Sequence, residues 1–273
     1  MATAISNWSA PMAGGYEREN SRRSEGSRIA VIEKAVRVLD ALLPVTEGLT
    51  PTEVAEAIGT NRSTAFRLLT SLEAAGLLAR EASTGRYHLG MKLLQYGAAV
   101  RNGMSIIRVA EPILSNLRDQ VRQSVLLAIR EGFGARCLFR LPGPEVDVLS
   151  WTTGEWLPMH MGAAPQALMS ALSDNEIEHY LAHNKDWHTL RGDRTAEDIR
   201  EGIAMIRERG WALNRASITK GVASLGAVVR DRSGAVVCAI SVAGLEHHYD
   251  DTQLERTATA VLEATREISE RLE

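Results

Sequence analysis

Between residues 60 and 74 the chain reads TNRSTAFRLLTSLEA, and Arg62 and Arg67 are its only charged side chains before Glu73. A guanidinium presents a fork of N–H donors that matches a phosphate or the edge of guanine, and serine and threonine hydroxyls can bond to phosphates and to several bases. Wound at about 3.6 residues per turn, Ala65, Leu68, Leu69 and Leu72 fall in one stripe, and Thr60, Ser63, Arg67, Thr70 and Ala74 fall opposite it. One side of this helix packs. The other, with Thr60, Asn61, Arg62, Ser63 and Thr64 at its leading end, is expected to meet double-stranded DNA, where the first turns of such a helix approach base edges. Arg67, with Ser63, Thr64 and Thr70, is expected to read bases, and Arg62 to hold phosphate.

The elements around this stretch support that chemistry. Ile32, Val36, Leu39 and Leu43 recur at helical spacing until Pro44 stops the pattern. Thr50-Pro51-Thr52-Glu53 supplies a hydroxyl N-cap, a proline at the first helical position and a reciprocating Glu, which together open a second helix. Gly59 ends it, and Ile58 and Arg62 lie only four positions apart, so the second and third helices must turn sharply against each other in a helix-turn-helix. Segments 77–80 and 86–89 bracket Ala-Ser-Thr-Gly as a hairpin, with Arg86 at its tip as a further phosphate contact. Strands that short must lean on the helices.

Residues 28–90 therefore read as a winged helix-turn-helix. Residues 91–108 read as a linker helix through Leu93, Leu94, Tyr96 and Val100, and Gly103 interrupts the pattern near a hinge. Residues 109–273 mix a helix through Ile113, Leu114 and Leu117 with strands at Ser124–Ile129, Arg136–Leu141 and Val146–Trp151. Thr195 to Asp198 cap a helix closing at Gly210. Strands Ser224–Val229 and Ala235–Val242 are joined through Asp231-Arg-Ser-Gly234, and an amphipathic helix runs from Leu254 to Leu272. The expected class is multidomain α+β with an antiparallel sheet in the larger domain.

Bulk composition narrows the function without naming it. Net charge is −3, so any basic surface must be local; from Ser27 to Gly90 seven basic residues face seven acidic ones. Cys137 and Cys238 are the only cysteines, which excludes a disulfide scaffold and a Cys-rich zinc site and suits the cytoplasm. No apolar run approaches a membrane span, and residues 1–27, with five serines and mixed charge, read as a disordered tail without a signal peptide's apolar core.

Other chemistry-bearing residues form no catalytic set. Gly221-Val-Ala-Ser-Leu-Gly226 has the spacing G-x-x-S-x-G and not the nucleophile elbow's G-x-S-x-G. His179 and His183 lie four apart on an expected helix, yet no Glu stands between them as in H-E-x-x-H. His160, His247 and His248 read as structural or solvent-facing, and Trp151, Trp156 and Trp187 as core or pocket wall. No cofactor, metal or enzymatic activity is expected.

The segment from Ile32 to Asp40 (IEKAVRVLD), the run TAFRLLTSLEAAGLL from Thr64, and RYHLG from Arg86 resemble the IclR-type transcriptional regulators, over about residues 28–272. The resemblance implies a linker helix that pairs two chains, as homodimer or homotetramer, and an α+β effector-binding domain akin to GAF and PAS-like sensors. GEWLPMH from Gly154 resembles the family's approach to the ligand loop, which would comprise Met161, Gly162, Ala163 and Ala164. Further lining falls at Asn214, Val222, Ser224, Ser241 and Ala243, for a small, mostly apolar pocket. Pro165-Gln166 stands where the family usually has Gly-Lys, Ser224 where many relatives have cysteine, and no acid lies near Ser217. The implied function is transcription regulation, as repressor or activator, with operator binding tuned by a small-molecule effector, an organic acid or aromatic metabolite. The alternative is an enzyme or metabolite-binding protein that uses its winged helix only as an interaction module.

Overall fold

The computed structural model describes residues 29–144, 147, 151–184, 188–189 and 192–272. The described chain forms two compact units that meet in sequence at Gly103 and Met104.

The first unit contains helices α1 (Ala30–Leu42), α2 (Pro51–Ile58) and α3 (Arg62–Ala74), strands β1 (Leu78–Arg80) and β2 (Tyr87–Leu89), and helix α4 (Met91–Gly103). Its start signals are local. Thr50 Oγ1 accepts from Glu53 N at 3.3 Å while Glu53 Oε2 accepts from Thr50 N at 2.7 Å, closing the capping box of α2. Gly59, left-handed at φ 65°, ends that helix, and Asn61 Oδ1 caps α3 by accepting from Thr64 N at 2.8 Å. Val38, Leu42, Val54, Ala55, Ile58, Ala65, Leu68, Leu69 and Leu72 close one core, to which Leu78 and Tyr87 bring the hairpin. Leu49 exchanges backbone hydrogen bonds with Tyr87 at 2.8 and 3.0 Å, so the two short strands gain a third partner besides the helices.

Helix α4 ends at Gly103, short of the 108 expected for the linker. Met104 is extended (φ −94°, ψ 99°), and a new helix, α5 (Ser105–Val121), begins the second unit.

That unit is an α+β domain. A six-stranded antiparallel sheet has the order β5-β4-β3-β10-β9-β8, from β3 (Ser124–Glu131), β4 (Gly134–Leu141), β5 (Trp156–Pro158), β8 (Ala212–Arg215), β9 (Val222–Arg230) and β10 (Val236–Leu245). The expected strand Val146–Trp151 falls largely outside the described residues; the strand that borders β4 is β5. Between β5 and β8 lie helices α6 (Ala163–Ser170), α7 (Asp174–His183) and α8 (Ala196–Arg209), with the short pair β6 (His188–Thr189) and β7 (Gly192–Asp193). Helix α9 (Asp251–Arg271) closes the unit.

Strand alternation sorts the two faces of the sheet. Val125, Leu127, Leu225, Val229, Ile240 and Val242 pack against α5 and α9. Leu126, Ala128, Ala239 and Ala243 turn to the other face, where Ala163, Ala164 and Ala167 of α6 rest on them. A smaller cluster of Met159, Met169, Ile177, Tyr180, Ile199 and Ile203 joins α6, α7 and α8.

Candidate functional site

Two surfaces carry the chemistry, one in each unit. On α3, Ala65, Leu68, Leu69 and Leu72 are buried, and Asn61, Arg62, Ser63, Phe66 and Arg67 are exposed, with Thr60, Thr64 and Thr70 half-buried. Neither Arg62 nor Arg67 is paired with a carboxylate among the described residues. The outward face thus presents free guanidiniums beside hydroxyls, which suits an anionic partner.

Two of these side chains are partly committed inside the fold. Asn61 spends its carbonyl oxygen on the cap of α3, and Thr70 Oγ1 donates to the carbonyls of Phe66 (3.0 Å) and Arg67 (3.1 Å). The Thr70 hydroxyl therefore offers a partner its lone pairs and not its proton.

Arg86 departs from the expectation of a cation at the wing tip. It lies at the foot of β2, where Nη1 donates to Gly48 O at 2.9 Å and Glu53 Oε2 at 3.0 Å and Nη2 reaches Glu53 Oε1 at 3.3 Å. The fork is occupied by the same carboxylate that caps α2, whose pKa is held low mainly by hydrogen bonds from Thr50 and then by Arg86. The residue that sequence reasoning missed on the wing is Arg80. It is exposed on β1 and lies 5.8 Å over the Tyr87 ring without an ion pair among the described residues. Strand alternation does not find it, since position 80 shares a face with buried Leu78 and the pattern alone would turn it inward.

In the second unit a small cavity opens between α6 and the sheet. Register places its walls. Ser224 stands opposite Asn214 on one side and Ala243 on the other, while Ser241 stands between Gly226 and Leu126 in the next row. Gly162, Ala163, Ala164, Asn214, Val222, Ser224, Ser241 and Ala243 all line it, which brings together every expected pocket residue except Met161. Leu126, Trp151, Ser217, Ile218 and Thr219 complete the lining. Leu126 comes from β3, Trp151 from the segment before β5 and the other three from the turn between β8 and β9, so nothing local in the sequence marked the turn residues as pocket.

Two glycines make the cavity possible. Gly162, at φ 82°, turns the chain into α6 without a side-chain cap. A Cβ on Gly226 would lie 3.0 Å from Ala163 C, Ala164 N and Ile240 O, so the bare backbone of β9 lets the first turn of α6 sit directly on the sheet. The polar groups converge there. Ser217 Oγ accepts from Gly162 N and Ser224 Oγ from Ala163 N, each at a long 3.3 Å, while Ser217 also bonds Asn214. The rest of the wall is apolar, and Trp151 turns its indole N–H away to Glu155 O at 3.0 Å.

Gln166, at the position of the family lysine, donates to His160 O at 2.9 Å and does not line the cavity. His183 Nδ1 is bonded to His179 O at 2.8 Å and Ser224 is engaged by α6, so both misleading motifs have structural partners.

Comparison with known proteins decides the lineage. The family model for the bacterial transcriptional regulator IclR C-terminal domain matches residues 98–270, and that for the IclR helix-turn-helix domain matches residues 31–82.

The chain belongs to the IclR family of transcriptional regulators.

It is 30% identical over 224 residues to the HTH-type transcriptional regulator Rv1719 of Mycobacterium tuberculosis, spanning 82% of this chain and 85% of that protein. Solved structures share its fold. The Thermotoga maritima IclR aligns with a TM-score of 0.75 at 22% identity over 90% of this chain and 99% of that one. An IclR homologue of Microbacterium hydrocarbonoxydans, crystallised with 4-hydroxybenzoate, aligns with a TM-score of 0.75 at 22% identity over 88% and 98%. The chain is an IclR-type transcriptional regulator. No described helix is long and apolar enough to cross a membrane.

Proposed function

We propose that this IclR-family protein binds double-stranded operator DNA as a homo-oligomer in the cytoplasm, and that a small molecule in the α6 cavity modulates that binding. The observation that carries the reading is the outward face of α3, with Arg62 and Arg67 unpaired among exposed polar groups and no carboxylate between Gly59 and Leu72. Thr60, Asn61, Arg62, Ser63, Thr64, Arg67 and Thr70 contact the duplex: Arg67 at a base edge, Arg62 at phosphate. Arg80 takes the wing role expected of Arg86. A single unit carries few free cations, whereas firm binding neutralises roughly six to ten phosphates, so two units on two half-sites act together.

The effector has one polar end and a compact apolar body. Its polar end meets Ser217, Ser224, Ser241 and the Asn214 amide, beside the Gly162 and Ala163 N–H groups that Ser217 and Ser224 engage, and its body lies on Leu126, Trp151, Ile218 and Val222. A small organic acid, aliphatic or aromatic, has that shape, and the 4-hydroxybenzoate of the Microbacterium homologue is of this class. Without the family lysine, a carboxylate would be held by amides and hydroxyls alone. Binding shifts DNA affinity only by the ligand's preference between DNA-competent and incompetent arrangements, about 1–3 kcal/mol in typical cases. The test is selection of bound duplexes from a random pool by the purified protein, followed by thermal melting and duplex titration with a panel of small organic acids. Failure to enrich any duplex would overturn the first half, and a panel without a thermal shift the second.

A further inference from the structure

We propose that Phe66 is a specificity-determining residue that reads the C5-methyl group of thymine in the major groove; this rests on the DNA-binding reading above. Phe66 is 48% exposed on a helix whose other large apolar residues, Leu68, Leu69 and Leu72, are buried. It takes no part in the unit's core. Nothing in packing explains a phenyl ring on this side, and an exposed ring forfeits the burial that would stabilise the fold.

Its place on the helix identifies the partner. Arg62 stands one turn before it and Thr70 one turn after it, so the ring lies along the same outward arc as the residues assigned to DNA. Thr70 Oγ1 is turned back onto the Phe66 and Arg67 carbonyls, which leaves no hydroxyl proton beside the ring to seek a polar base edge. A surface that fits an apolar ring flanked by two unpaired guanidiniums must be anionic around a small apolar group. The major groove offers this where a thymine methyl lies between phosphate rows, and phenylalanine is among the side chains that contact that methyl. A protein surface would need carboxylates arranged around its apolar patch, and the charge alone favours the nucleic acid.

The experiment uses the full chain and the duplex enriched from a random pool. Each thymine is replaced in turn by deoxyuridine, which deletes the methyl and leaves every hydrogen-bonding group in place. With the wild-type protein, one thymine per half-site should weaken binding about fourfold when its methyl is removed. Phe66→Ala should bind the thymine duplex about as weakly and show no further loss with deoxyuridine there, whereas Arg67→Ala should remain sensitive. Phe66→Leu, which keeps an apolar group, should retain part of the discrimination. Methyl sensitivity that persists undiminished in Phe66→Ala, or wild-type binding indifferent to every methyl, overturns the proposal. So does a Phe66→Ala protein with unchanged DNA binding and an altered oligomeric state, which would mark a protein contact. If the wild-type chain enriches no duplex at all, the DNA-binding reading falls and this one with it.

Discussion

Arg86 and Glu53 form a two-point ion pair, at 3.0 and 3.3 Å, that joins the wing to the capping box of α2. Because the guanidinium is occupied by a structural partner, Arg86→Ala should lower the melting temperature of the N-terminal unit and leave the salt dependence of DNA binding almost unchanged. Salt titrations of duplex binding check this, and a slope that flattens by about one unit would return Arg86 to phosphate. The pH dependence has a definite sign. The Glu53 carboxyl is depressed in the folded state, so its contribution is fully present above the ordinary glutamate value of about 4.3 and is lost as pH falls through the lower folded value. The loss should be absent in Glu53→Gln, as acid melting of the two proteins would record.

Arg62 and Arg80 are exposed and carry no ion pair among the described residues. Each alanine variant should weaken binding to all duplexes alike and reduce the salt slope by about one unit, whereas Arg67→Ala should relax the choice of base at one position per half-site. Competition between selected and scrambled duplexes at several salt concentrations separates the two behaviours.

The Tyr87 hydroxyl is buried without a hydrogen-bond partner among the described residues, in a residue that is 0% exposed. A buried polar group left unsatisfied costs about 1–3 kcal/mol, so Tyr87→Phe should keep the packing and raise the melting temperature. A lower midpoint in denaturant titration would mean that the hydroxyl is satisfied in solution.

Gly226 keeps β9 bare beneath the start of α6. Gly226→Ala should force α6 away from the sheet and abolish ligand-induced thermal stabilisation. The wild-type protein should gain about 2.7 kcal/mol at a ligand concentration of one hundred times Kd. Trp151 lines the same cavity, so ligand titration should change tryptophan fluorescence in the wild type and less so in Trp151→Phe.

Much of the first unit was legible because its signals are local. The Thr50–Glu53 box, Gly59 and the leucine stripe of α3 act within a few residues, and they lie where the pattern predicts. The resemblance likewise brought eight of nine expected pocket residues to one cavity, because a shared register carries whole rows of side chains together.

The sequence alone determined which helix has a face to spare, where α2 and α3 begin, and the family to which the chain belongs, since periodicity, capping and motif are properties of neighbouring residues. Only the tertiary structure decided that Arg86 bonds Glu53, 33 positions away, that Arg80 stands exposed on β1, and that Ser217 and Leu126 share a wall. Those relations depend on which side chains long-range packing brings within hydrogen-bonding reach. Charge and spacing cannot state that before the chain has folded.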